Sequence, residues 1–353
     1  MYAFPYSEAA RLDSRIRTPR PAIDPALAPV LDSCQLPEDL DLNFMRGIAS
    51  GGDNDNHDTS AFVCNADTVL RSALHLKHSE YSISGPDGNH ITLSVFTPKN
   101  PHCASLPALY HIHGGGMVAG DRFSGVSELL AVIGDEIQCV FVSVEYRLAP
   151  ETRAPGAAGD CYAGLVWMSE HAAALGIDPA GITVYGVSGG AALAAATCLT
   201  ARDRGIPAIP IRAQMLVSPM LDDRCESVSD KQFEYGSPWC GVSNRMAWDL
   251  VLGPDRGSDR VTPSQAPARA EDLSRLPPTY IDAAECEVFR DPAVLFAMNM
   301  WRCGSTCELH VWPGAFHLFD GIDDPLVPLI HAAVVAKQNW LRRMMMPVGK
   351  QDP

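Results

Sequence analysis

Between residues 78 and 343, short apolar, β-branched segments alternate with segments of helical length, and this alternation restricts the fold more than any other feature. "SEYSISGPDGNHITLSVF" reads as a β-hairpin turning at "GPDG". Strand "PALYHIH" is followed by helix "GVSELLAVIGDEI", strand "CVFVSVEY" and helix "GAAGDCYAGLVWMSEHAAALG". Strand "GITVY" then leads into helix "GAALAAATCLTARDRG", which ends in charge and Gly205. Strands "IPIRAQMLVSP", "LPPTYIDAA" and "CELHVW" follow, with helices expected over 291–303 and 327–343. Such alternation predicts an α/β fold whose mostly parallel sheet is covered by helices on both faces. Ligands of these sheets sit outside the carboxyl ends of the strands. Residues 222–262, rich in Trp, Tyr and Met, interrupt the pattern, and residues 1–75 precede it without regular structure. Both are expected to lie over the strand ends as cap segments on a catalytic domain spanning 76–353.

At 353 residues and 46% hydrophobic, the chain can bury one large core. Its formal charge of −15 argues against nucleic acid or an anionic membrane as partner. No apolar run approaches the roughly 18 residues of a membrane helix. The start "MYAFPYSEAARLDSRIRTPRP" has no apolar stretch of the signal-peptide kind. Eleven cysteines, an odd number without C-x-x-C pairs, fit reduced and mostly buried thiols in a cytoplasmic protein. "GGDNDNHDTS" has the acidic spacing of a calcium loop but lacks its Gly and distant Glu, so it reads as a polar loop.

The sharpest local motif is "TVYGVSGGAAL", where Gly186 and Gly190 flank Ser188 between a strand and a helix. That context turns G-x-S-x-G into a nucleophile elbow, a turn that tolerates no bulk at either glycine. Composition alone produces the five-residue pattern in about one chain of this length in ten, so the rest of the chain has to support it. "HIHGGGM" follows a strand at the same sheet edge, and the amides of Gly115, Gly116 and Gly189 could stabilise an oxyanion there. His113 reads as a side chain that braces this turn. A base for Ser188 must be neutral near pH 7, which suits histidine. His317, in "VWPGAFHLFDG", follows the last strand and comes after Ser188 in the chain order of such sites. For the acid, "YIDAAECEVFRDPAVLFA" offers four carboxylates. Asp282 lies within the strand and Asp291 reads as a helix N-cap before Pro292, while spacing does not separate Glu285 from Glu287.

These motifs together resemble the hormone-sensitive-lipase-like family of α/β-hydrolases, mostly carboxylesterases with a helical cap. The resemblance runs from about 78 to 342 through "HGGG", "SVEYRLAPE", "GVSGG", "SPMLDDR", "LPPTYI", "FRD" and "PGAFH". It implies Ser188 as nucleophile, His317 as base and, by the fit of D-x-F-R-D to "EVFRD", Glu287 as the acid where Asp is usual. It also implies Gly115, Gly116 and Gly189 as the oxyanion hole. The family's elbow usually reads G-D-S-A-G, so Val187 and Gly189 depart from it, and Leu318 stands where Gly usually follows the histidine.

The expected activity is hydrolysis of a small carboxylic ester through an acyl-enzyme, with no metal or cofactor required. A lactonase, thioesterase or acyltransferase would use the same triad. A non-catalytic receptor of this fold lacks the histidine, whereas His317 is present. Tyr235, Trp239, Met246, Trp248 and Leu318 are candidates for the substrate pocket, the cap aromatics serving equally well as packing. The resemblance further implies a homodimer paired through the edge strand "CELHVW".

Overall fold

The computed structural model of the chain describes residues 18–33, 41–50, 65–134, 137–207, 210–322, 324 and 326–346. Three short helices come first: α1 (Ala28–Ser33), α2 (Leu42–Ser50) and α3 (Ala66–Ser72). The expected hairpin is β1 (Leu76–Ser84) and β2 (His90–Pro98), joined at Gly85–Asn89, where the Gly85 amide donates to the Asn89 carbonyl at 2.7 Å. Then come β3 (Leu106–Ile112), α4 (Val126–Ile133), β4 (Val140–Glu145), α5 (Gly156–Glu170), α6 (Ala172–Leu175), β5 (Ile177–Val187) and α7 (Gly189–Arg204). After β6 (Ala213–Val217) the interruption holds α8 (Val228–Gln232) and α9 (Gly241–Leu252). The chain closes with β7 (Thr279–Cys286), α10 (Arg290–Arg302), β8 (Cys307–Phe316) and α11 (Pro328–Met345). "GGDNDNHDTS" lies outside the described residues.

All eight strands form one sheet in the order β1-β2-β4-β3-β5-β6-β7-β8. The β1–β2 and β2–β4 pairs are antiparallel, and every pair from β4 through β3 to β8 is parallel. Strands buried on both faces must alternate between two cores, and β5 does: Val184 packs with α5 and α7, while Tyr185 packs with α4 and α11. Ala191, Ala192, Ala194, Ala195 and Ala196 of α7 are all buried, which lets this helix lie close on the sheet. Crossovers of one hand put the carboxyl ends of β3, β5, β7 and β8 at a common edge, where the candidate site forms.

Three helical expectations are corrected, the first being that 1–75 lacks regular structure, since α1, α2 and α3 lie there. The helix read over 156–176 divides at His171, whose φ −101° and ψ 11° leave helical geometry although its amide still donates to the Trp167 carbonyl at 3.0 Å. The helix read from Asp291 begins at Arg290, with Phe289 at its cap position. Asp291 therefore sits in the first turn, where its carboxylate accepts the Ser229 amide at 2.7 Å and ties α8 to α10.

Candidate active site

Ser188 is the single residue between β5 and α7 and has φ 55° and ψ −119°. A serine with positive φ is strained, so its surroundings must hold it. The Ser188 amide donates to the Val217 carbonyl at 2.8 Å, and the Ser188 carbonyl accepts from Ala191 at 3.0 Å and Met220 at 3.1 Å. A Cβ on Gly190 would lie 2.2 Å from the carbonyl oxygens of Ile112 and His113. One on Gly186 would lie 2.3 Å from the Gly190 oxygen. Only glycine lets the elbow approach the end of β3 this closely.

Beyond β3 the chain turns through Gly115 (φ 102°), Gly116 (φ 61°) and Met117 (φ 64°), three consecutive positive values. The Gly115 carbonyl accepts the Val118 and Ala119 amides, each at 3.0 Å, and so fixes the turn. Its backbone lies directly on the elbow, since a Cβ on Gly189 would come within 2.9 Å of Gly116 Cα. The amide of Gly189 is among the first of α7, which have no partner within the helix. Among the described residues, the turn and loop backbone bonds give no acceptor to the amides of Gly115, Gly116 or Gly189. His113 braces the turn as expected. Its ring stacks on Tyr146 at 4.1 Å and its Nδ1 is 2.8 Å from the Gly114 carbonyl, while burial pushes its pKa down and keeps the ring neutral.

Glu287 follows β7 directly and is fully buried. Its Oε2 lies 2.5 Å from His317 Nδ1 and its Oε1 accepts the Ala284 amide at 2.6 Å. A carboxylate only accepts, so Nδ1 carries the proton and Nε2 carries the lone pair. Glu285 has a different occupation: its Oε2 accepts the Gly314 amide of β8 at 2.9 Å. Of the two carboxylates that spacing left open, only Glu287 meets the histidine. Phe289 packs edge-on to the His317 ring at 5.2 Å, and His317 is 7% exposed. Leu318 has φ 59° and ψ 29°, the left-handed region that favours glycine, and its side chain is 37% exposed.

Of the cap aromatics, Trp239 is brought to the site. A Cβ on Gly116 would lie 2.6 Å from the Trp239 Cη2 atom, and the indole centroid is 6.4 Å from that of His317. Trp248 is fully buried in the main apolar cluster and Met246 packs against it, so both join α9 to the core. Tyr235 contributes its carbonyl, which accepts Arg20 Nη1 at 3.1 Å. The arm 18–33 thus touches α8 and Tyr235, and its Asp24 amide donates to Gly314 in β8 at 2.9 Å. Arg46 of α2 reaches the glycine turn, donating to the carbonyls of Val118 and Ala149 at 2.9 Å each and pairing with both oxygens of Glu151. Sequence reasoning did not reach Arg46, nor the ion pair of Lys337 with Asp320 in the turn after His317. Among the described residues there is no group of three or more His, Cys, Asp or Glu able to hold a metal, and no helix long and apolar enough to cross a membrane. The nine described cysteines form no disulfide with one another.

A family model for the alpha/beta hydrolase fold matches residues 109–321, more than half of the chain. The chain belongs to the α/β-hydrolase fold family. Within that family it is 31% identical to esterase LipI of Mycobacterium tuberculosis, over 82% of this chain and 86% of that protein. It is 29% identical to an ethyl acetate hydrolase of Pseudomonas putida, over 72% of this chain and 81% of that one. Among solved α/β-hydrolases, a bacterial heroin esterase superposes with a TM-score of 0.78 at 33% identity, covering 92% of this chain and 99% of that one.

Proposed function

We propose that this chain, a carboxylic ester hydrolase by its kinship with named esterases, works through a Ser188–His317–Glu287 triad and an acyl-enzyme. His317 Nε2 takes the Ser188 proton as Oγ attacks the ester carbonyl, and Glu287 holds the ring by Nδ1 and stabilises its cation. The amides of Gly115, Gly116 and Gly189 receive the negative charge that develops on the carbonyl oxygen. Collapse of the tetrahedral intermediate breaks the bond to the alcohol, whose oxygen takes the proton from His317. Water then attacks the acyl-serine by the same route, giving the acid and free Ser188. Residues 222–262 and the N-terminal segment 1–75 act together as the cap that closes the site, with Trp239 and Leu318 nearest the substrate.

The observation that carries this reading is the 2.5 Å contact between Glu287 and His317 Nδ1 on a sheet edge shared with a strained serine. A fluorophosphonate probe should label Ser188 stoichiometrically, and Ser188→Ala should lose both labelling and at least about 10³-fold in turnover of p-nitrophenyl acetate. Wild-type turnover by Ser188→Ala would rule the triad out.

A further inference from the structure

Beneath the turn that carries His317 lies a buried cation for which the triad has no use. Lys337 projects from α11 and is 4% exposed. Its ammonium pairs with Asp320 in the turn Phe319–Gly321 and lies 3.4 Å from Oδ2 of Asp282, which is 2% exposed. That oxygen also faces the Tyr280 hydroxyl and the Trp312 indole N–H, each at 3.4 Å. Burial by itself would push the ammonium towards neutrality, but Asp282 and Asp320 override it and hold the lysine well above its ordinary value.

Buried ion pairs are an inefficient source of stability, because desolvation offsets their attraction and apolar side chains of similar volume serve as well or better. Here α11 already packs with Ile330, Ala333, Trp340 and Leu341 buried. What an ion pair does better than an apolar side chain is fix geometry, because its optimum is narrow in distance and direction. The two carboxylates stand on the two segments that carry the imidazole and its acid. Asp282 is on β7, five residues before Glu287, and its carbonyl accepts the Ser218 amide just beyond β6 at 2.9 Å. Asp320 comes three residues after His317, across the strained Leu318.

We infer that Lys337 is a positioning residue for the reaction. By drawing Asp320 towards Asp282 it fixes the turn after His317 against the strand that leads to Glu287, which keeps Nδ1 on the carboxylate and Nε2 aimed at Ser188. This role rests on the triad reading. The test uses Lys337→Met and, as a second variant that leaves the lysine paired with Asp282, Asp320→Asn. Turnover of p-nitrophenyl acetate is measured per active site titrated with fluorophosphonate, beside the low-field proton resonance of the His317 Nδ1–H.

Both variants are expected to lose roughly ten- to a hundredfold in kcat per titrated site, as small misplacements of a catalytic group do, with KM within about twofold and the resonance shifted or broadened. If Lys337→Met does not fold, Asp320→Asn decides by the same measurements. A folded variant that keeps wild-type kcat and resonance while only its melting temperature falls would overturn the inference. Wild-type protein unlabelled at Ser188 would instead sink the triad reading, and the positioning role with it.

Discussion

Glu285 and Glu287 leave the same strand two residues apart, and their neighbours set their duties. Both accept a backbone amide, but the amide on Glu285 belongs to Gly314 of β8 while the second oxygen of Glu287 meets His317. Glu287→Gln is expected to lower kcat by about 10³–10⁴, because an amide in this place no longer stabilises the imidazolium. Glu285→Gln keeps an oxygen for the Gly314 amide and is expected to stay within about tenfold of wild type. Steady-state kinetics on the two variants separates them, and the reverse order would move the acid. Gly189 carries a second expectation at this scale. A Cβ there would meet Met117 N at 2.8 Å and Gly116 Cα at 2.9 Å, both backbone atoms of the glycine turn. Gly189→Ala, although it restores the residue usual in the family, is therefore expected to displace that turn and cost roughly ten- to a hundredfold in kcat. Unchanged kcat would mean that the turn yields without loss of alignment.

At the scale of elements, the glycine turn is gripped from outside by α2. Arg46 joins the Val118 and Ala149 carbonyls to Glu151, and its hydrogen bonds hold the exposed Glu151 carboxyl at about 2, below the ordinary 4.5. A carboxyl whose value is depressed by folding contributes its stability above the ordinary value and loses it as pH falls towards the folded one. The grip of α2 on the turn is thus expected to be complete above pH 4.5 and to weaken from there towards pH 2. Amide exchange over 42–47, corrected for its intrinsic pH dependence, should lose protection between pH 5 and pH 3, and Glu151→Gln should show the same loss at neutral pH. Equal protection in all three conditions would show that the pair does not hold the helix.

Across the whole molecule, α9 of the proposed cap is continuous with the core. Trp248 is fully buried in the same apolar cluster as Leu93, Val142 and Val184 of the sheet, and Val251 and Leu252 of α9 join it there. The protein is therefore expected to melt in one cooperative transition, with no separate step for the cap. Trp248→Ala, which deletes a large core side chain, should lower that single transition by about 3–5 kcal/mol of stability. Calorimetry that resolves an early cap transition would contradict this view. The same continuity accounts for the 5% exposure of Trp239 beside the glycine turn: the segment before α9, held by that helix against the core, leaves little room over Gly116.

The order of strands and helices, the elbow at Ser188 and the place of His317 were legible in the sequence because each follows from neighbours along the chain: period-2 and period-3.6 apolarity, and glycines where a turn forbids a Cβ. The N-cap reading of Asp291 failed because the backbone enters helical geometry two residues earlier, at Phe289. Lys337 was hidden because an amphipathic helix pattern gives no sign that its one lysine faces two carboxylates. What only the tertiary structure decided was which polar side chains meet. Glu287 reaches His317, Arg46 grips the glycine turn and Lys337 joins Asp282 to Asp320 across sequence separations of tens of residues. Local propensity fixes the direction of a backbone segment, but partners across such distances are selected by how the packed elements aim their side chains, and no short stretch of sequence encodes that aim.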